Sequence, residues 1–231
     1  MPTPLIKKNS EPAAVDDATP SSLTVDEIVQ RKAGRRVDEN ALRALFFEAR
    51  TATGFLDHKV PHELLAEAVE LALIGPTSAN GLPMRIVFVE SLEAKERLRP
   101  ALSPGNLDKT MAAPITAIIA TDLQFYELFP QTFPERGEAL KGMVAAMEPA
   151  VRRAHAWDNA VLQMAYFILA VRALGLDAGP MAGFDRTLVD AAFFPDGRWA
   201  SQYLINLGYG DDTKLFPRLP RFSALEIARF A

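Results

Sequence analysis

The segment AWDNAVLQMAYFILAVRALG constrains this chain more than any other. Trp157, Val161, Met164, Ile168 and Val171 recur at spacings of four, three, four and three, the period of one helical face, and further apolar residues fill the flanks. Gly175 ends the helix. A helix apolar on nearly every side must be covered on nearly every side, so it is either a central core helix or one lying at a subunit interface. A chain of 231 residues is long enough to supply such a core from one domain.

PITAIIAT, from Pro114 to Thr121, lacks the alternation of a half-exposed strand and is expected to be buried on both faces. MRIVFVES is a second strand by its β-branched content, and SLEAKERLRPAL returns to helical periodicity behind a Ser91 cap. Upstream, VDENALRALFFEART predicts an amphipathic helix on Leu42, Leu45 and Phe46, capped by Asp38 or Asn40, that delivers Arg50 and Thr51 to its end. PHELLAEAVELALIGPTSANG predicts a helix from Pro61 to Gly75-Pro76. The aromatic, proline-bearing stretch after Asp122 reads as broken helical pieces, a kind of segment that often covers a site. His155 is placed just before the long helix as a solvent or interface histidine. Beyond that helix come a Gly-rich turn, GLDAGPMAGFD, a short helix, DRTLVDAAFF, a strand, QYLINLGYG, and a basic, proline-punctuated end. Residues 1–36 read as a flexible tail or docking arm with a short helical stretch around TVDEIVQRK, and residues 37–231 as the globular domain. Too few strands are present for a barrel, so the class is α+β or α/β with one sheet.

Composition removes several function classes. Twenty-five basic residues against 29 acidic ones give a formal charge of −4, too balanced for a global field that gathers nucleic acid or an anionic membrane. Any anion site must therefore be local. No apolar run is long enough for a membrane span, and Met1 to Pro12 lacks an apolar export core, so a soluble cytoplasmic protein is expected. The absence of cysteine excludes disulfides, thiolate metal sites and thiol redox chemistry. Electron transfer here requires a bound cofactor.

Familiar motifs fail on inspection. GYGDDTK follows a strand, as a dinucleotide fingerprint should, but offers only Gly208 and Gly210 and would set Asp211 and Asp212 against a pyrophosphate. GEALKGM spaces Gly137 and Gly142 like a phosphate loop, yet Met143 replaces the lysine. His58 and His62 are four apart, but Pro61 at a helix start lies between them, so no metal site is expected. Ser78 has no evident base partner and no nucleophile elbow around it. What remains is a scatter of basic and amide residues near turns, each of which singly is more often solvated than engaged.

Taken together, GPTSAN, RIVFVES, KERLRPALSPGNLDKTMAAPITAIIA, RALGLDAGPMAGFDR and LINLGYGDDTKLFPRLPR resemble, in order and spacing, the FMN-dependent nitroreductase family. The resemblance runs from about Leu42 to Ala231 and leans to the malonic semialdehyde reductase branch of uracil degradation. It implies an α+β, three-layer fold with one central mixed, mainly antiparallel sheet flanked by helices, in a domain-intertwined homodimer. Its activity would be NAD(P)H-dependent reduction through bound FMN, with malonic semialdehyde going to 3-hydroxypropanoate. A broad nitroreductase or quinone reductase shares the same cofactor residues, and a flavin-binding protein without turnover is the alternative from another class.

The resemblance also assigns residues. Arg50 and Thr51 match the family's phosphate-binding stretch, where a guanidinium can hold two phosphate oxygens in a fork. A second basic residue of the family is replaced by Thr53, which shifts the load to the C-terminal segment, with Arg218 in register and Lys214 offset from the usual lysine position, now Phe216. Pro76, Thr77, Ser78 and Asn80 match the loop that reaches the flavin from the neighbouring subunit. Asn106, with Lys109 one helical turn on, matches the residue at the flavin's pyrimidine edge. Met181, Ala182 and Gly183 match the turn whose backbone N–H faces flavin N5, with Ala182 in place of the family's frequent Glu. The aromatic segment Phe125 to Phe133 is expected to line the substrate entrance.

Overall fold

The structure, a computed structural model, describes residues 24–231. Most of the expected N-terminal tail, residues 1–23, lies outside the described residues. The frame is a four-stranded sheet of β1 (Met84–Val89), β2 (Ile115–Asp122), β3 (Asp177–Met181) and β4 (Trp199–Gly208), in the order β1-β2-β4-β3. All neighbouring strands run antiparallel, and the parallel pairing among the described residues is an isolated bridge between Thr51 and Ala178, outside the four strands. The helices are α1 (Val25–Ala33), α2 (Glu39–Leu42), α3 (His62–Leu73), α4 (Leu92–Leu98), α5 (Pro104–Ala112), α6 (Phe129–Thr132), α7 (Gly137–Ala145), α8 (Pro149–Ala173), α9 (Arg186–Phe193) and α10 (Ala224–Ile227).

β2 lies inside the sheet, with Ile118 opposite Val87 on one side and Leu204 on the other, and all eight of its residues are buried. Successive side chains of a strand point to opposite faces. Ile115, Ala117 and Ile119 accordingly join Ile205 and Leu207 in the core under α3 and α8. Ile118 and Ala120 join Leu204, Met181, Leu98 and Val189 in a second core under α4 and α9. Three layers result, as expected.

The long helix begins at Pro149, earlier than its apolar period announces, so His155 lies inside α8 rather than before it. Ala160, Met164, Phe167 and Val171 press on the sheet. Leu162 and Tyr166, on the other side, keep half or nearly half of their surface exposed. Within one chain the helix is therefore covered on its sheet side and left open along that stripe.

Three local expectations are revised, and one strand shows an irregularity. DAGPM, read as part of a turn, is the edge strand β3; Pro180 is tolerated there because an edge strand can spare one donor. The helix capped by Asp38 ends in a π-helical turn, Arg43–Phe47, which swings Phe46 into solvent instead of the core. Phe125 and Phe129 do not line an entrance: both are buried with Leu140, Val144 and Ala156 in a third, separate core. β4 carries a bulge, since Ile119 pairs with Tyr203 and Ala120 with Ser201; the extra residue, Gln202, donates to the Trp157 carbonyl on α8.

The end of β2 is fixed electrostatically. The buried Asp122 carboxylate accepts from Arg85 at 2.8 Å and from Arg198 at 3.0 and 3.1 Å. Burial lowers the Arg85 guanidinium from its ordinary value, opposed by the Asp122 charge, whereas hydrogen bonding to the same carboxylate raises the more exposed Arg198.

Phe167 is fully buried on the sheet side of α8 and stacks in a tilted arrangement near Phe88. Phe167→Ala is expected to cost about 3–5 kcal/mol through lost burial and a residual cavity. Equilibrium denaturant unfolding measures this as a lowered midpoint with an unchanged slope.

Candidate functional site

Arg50 and Arg218 come from opposite ends of the domain and line one cleft of about 440 Å³ together with Phe47, Ala52, Asp177 and Leu215. Their attachment is reciprocal. The Arg50 guanidinium donates to the Phe216 carbonyl, and the Arg218 guanidinium donates to the Phe47 carbonyl at 2.8 Å. Each arginine thus grips the segment that carries the other, and among the described residues one nitrogen of each five-donor guanidinium is spent in doing so. Nearby acids are mostly engaged elsewhere: Glu48 by Arg43 at 2.7 Å, Asp177 by the Gly210 N–H at 2.8 Å, and Asp211 by Lys214 at 3.3 Å. Asp212 is the remaining acid on the rim. Below the cleft, burial lowers the Arg172 guanidinium, opposed by the Asp177 charge.

The backbone stitches this cleft to the sheet edge. Thr51, itself exposed, pairs with Ala178 of β3, and the Ala52 N–H donates to the Ala178 carbonyl at 3.0 Å. Closeness is possible because residue 179 is glycine; a Cβ there would stand 2.5 Å from the Ala52 carbonyl oxygen. Thr53 donates its hydroxyl to the Lys214 carbonyl, and the Lys214 side chain lies directly over Gly54. Lys214 is mostly exposed and is not among the residues that line the cleft.

A second cluster forms beyond the other end of β3. The Asn106 amide on α5 donates to the Gly183 carbonyl at 2.8 Å, and the Ser103 N–H reaches the same oxygen at 3.3 Å. Lys109 is half-buried one turn further on, and Ala182 and Gly183 are exposed. Met181 differs: its side chain is buried against Thr110 and Asn206, so only its backbone is offered to this cluster. The C-terminus of α5 is pinned by the Lys95 ammonium, which donates to the Thr110, Met111 and Ala113 carbonyls. Burial lowers the Lys95 pKa. Asn206, bonded to Thr116 at 2.8 Å and to Thr110 at 3.3 Å, ties the same helix to the sheet.

The third group, Pro76 to Asn80, sits against the N-terminal half of α8. The Ser78 N–H donates to Asn159 Oδ1 at 2.7 Å, the Asn80 amide donates to the Thr132 carbonyl at 2.7 Å, and Thr77 Oγ1 accepts from the Leu82 N–H at 3.3 Å. Neither of the other clusters contacts it through these bonds. Of the histidines, His62 is paired with Glu90 at 2.7 Å and His58 meets the edge of Tyr209, which separates the two rings' roles. Asn159 was not singled out by motif or spacing; the signal for it was an amide within a buried helical face, where a polar side chain needs a partner.

A helix-clad antiparallel sheet with a two-arginine cleft at its edge strand defines an α+β protein. The chain belongs to the nitroreductase family: the profile of that family matches residues 48–209. A Stenotrophomonas maltophilia protein named "Putative NADH dehydrogenase/NAD(P)H nitroreductase" is 54% identical over 195 residues, covering 84% of this chain and 98% of the relative. Two solved structures, each described as a "putative nitroreductase", share the fold. The one from Bacillus subtilis has a TM-score of 0.76 at 22% identity, covering 84% of this chain and 100% of its own. The other, from Exiguobacterium sibiricum in complex with FMN, has a TM-score of 0.74 at 19% identity, covering 85% and 99%.

Gly179→Ala is expected to lower stability by about 1–3 kcal/mol, because backbone must move to admit the new methyl group. Thermal unfolding reads the loss, and hydrogen exchange at Ala52 should accelerate as its bond to Ala178 opens.

Proposed function

We propose that this chain is an FMN-dependent NAD(P)H oxidoreductase that reduces malonic semialdehyde to 3-hydroxypropanoate and works as a homodimer. The observation that carries the flavin reading is the placement of two clusters along β3: two guanidiniums by Ala178 and an amide with an open turn at Gly183. Five residues at about 3.3 Å each separate them by roughly 16 Å. That span suits a mononucleotide laid along the strand with its phosphate at one end and its ring at the other. The name of the Stenotrophomonas relative and the FMN bound in the Exiguobacterium structure support the same cofactor and reductant.

The donor set fits the group. Arg50 and Arg218 supply charge-assisted hydrogen bonds to phosphate oxygens, Thr51 a hydroxyl, and Lys214 a second-line positive charge. Asn106 presents both donor and acceptor to a ring edge that has both, and the exposed backbone of Ala182 and Gly183 offers N–H groups that no side-chain replacement removes. Bound FMN supplies a two-electron carrier between NAD(P)H and the acceptor. Lys109 contributes a fixed positive charge beside that edge, which stabilises negative charge developing there and can hold a substrate carboxylate. The net reaction consumes NAD(P)H and a proton, placing hydride on the aldehyde carbon and the proton on its oxygen.

The open stripe of Leu162 and Tyr166 supports pairing with a second copy, which would bring Pro76, Thr77, Ser78 and Asn80 to the first copy's site. A nitro compound is the rival acceptor, favoured by the relative's name. Turnover of malonic semialdehyde and of a nitroaromatic, compared side by side with NADH and with NADPH, decides between them; aldehyde rates at background would remove the pathway assignment. The purified protein should absorb as a flavoprotein and bleach on anaerobic addition of reductant. Arg218→Ala is expected to weaken FMN binding about 10- to 100-fold, the loss typical of a charged hydrogen bond, as measured by fluorescence titration of the stripped protein.

A further inference from the structure

We infer that Asn159 is a positioning residue that holds the Ser78 loop in shape for the site of a second copy of the chain. The inference rests on the flavin reading above. Three residues with side chains occupy left-handed backbone in this loop: Ala79 at φ 52°, Asn80 at 53° and Leu82 at 43°. Such conformations persist only where the surroundings impose them. On the far side, Arg85 bonds the Leu82 carbonyl at 2.9 Å while its other nitrogen is held by Asp122. On the near side the restraint is Asn159. Its Nδ2 donates to the His155 carbonyl one turn back at 2.8 Å, which fixes the rotamer, and its Oδ1 then accepts the Ser78 N–H at 2.7 Å.

An apolar residue would suit this position better as helix and as core, since Asn159 is nearly fully buried among α8 residues that pack on the sheet. The amide is explained by the loop it holds. Gln163, one turn further along α8, repeats the device by accepting the Met84 N–H at 2.9 Å, so two amides on one helical face clamp both ends of the segment 78–84. Meanwhile the loop leaves the Ser78 and Asn80 side chains at the surface.

Those side chains cannot serve the arginine cleft of their own chain. Asn159 and Arg172 stand thirteen residues apart on α8, about 20 Å at 1.5 Å per residue, and Arg172 reaches the Leu45 carbonyl in the segment leading to Arg50. The Asn106–Gly183 cluster lies across the sheet from α8, because Thr110 of α5 is bonded to Asn206, which with Thr116 points to the face opposite α8. A loop held this firmly, with the Ser78 side chain exposed and the Asn80 amide braced by the Thr132 carbonyl, acts in trans.

Co-expression tests the assignment. Differently tagged Asn159→Leu and Arg218→Ala chains are produced together, the mixed dimer is isolated through both tags, and its FMN content is compared with each homodimer and with wild type. Each variant homodimer should bind FMN at least about tenfold more weakly. The mixed dimer should regain one FMN per two chains, because it contains one site with intact arginines and an intact loop. Mixed dimers as empty as the homodimers would overturn the inference, as that is the result if the loop serves its own chain or if Asn159 only supports the fold. Asn159→Leu dimers that bind FMN like wild type would also overturn it. Should Asn159→Leu not fold, Asn159→Ser shortens the side chain beyond reach of Ser78 with less disturbance and gives the same arms. A wild-type protein that takes up no FMN would instead remove the flavin reading itself.

Discussion

Eight consecutive residues of β2 without solvent contact oblige the rest of the chain to cover two faces at once. Everything else is arranged around that demand. α3 and α8 close one face and α4 and α9 the other, so polar groups can gather only at the strand ends, along the edge strand and in the loops between layers. The arginine cleft, the Asn106–Gly183 contact and the Ser78 loop occupy those remaining places. Two buried polar residues of β2 are satisfied by neighbours, Thr116 by Asn206 and Asp122 by two arginines, whereas the Thr121 hydroxyl has no partner among the described residues.

Much of this frame was legible in the residues. The unbroken apolar run of PITAIIAT announced a doubly buried strand, and the four-three spacing from Trp157 announced the helix that covers it. Ser91 and Asp38 caps lie where the helices start. The misreadings share a cause, which is that tertiary contact overrode local pattern. DAGPM contains a glycine and a proline and looked like a turn, but it gains strand conformation from pairing with β4 on one side and accepting the Thr51 segment on the other. Phe125 and Phe129 looked like a lining for an entrance because their segment is aromatic and broken by prolines, yet α7 and the start of α8 bury them.

Site legibility divides in the same way. Arg50 and Arg218 do meet in one cleft, and Asn106 does meet Gly183, but no spacing in the sequence encodes either meeting; only the matched order of motifs suggested them. Asn159 had no motif at all. Its importance is visible only when Ser78 and the left-handed residues beside it are seen to need an outside restraint. Met181 shows the reverse case, a residue in a matched motif whose side chain the core has claimed.

The reciprocal grip between Arg50 and Phe216, and between Arg218 and Phe47, joins the first and last parts of the domain. During synthesis the chain emerges from its N-terminal end, and the sheet can assemble once β4 is available. The cleft between the two arginines must wait longer, until the segment that carries Arg218 has been made. The sheet can thus be assembled before the two arginines meet, and their cleft is added to a frame already in place.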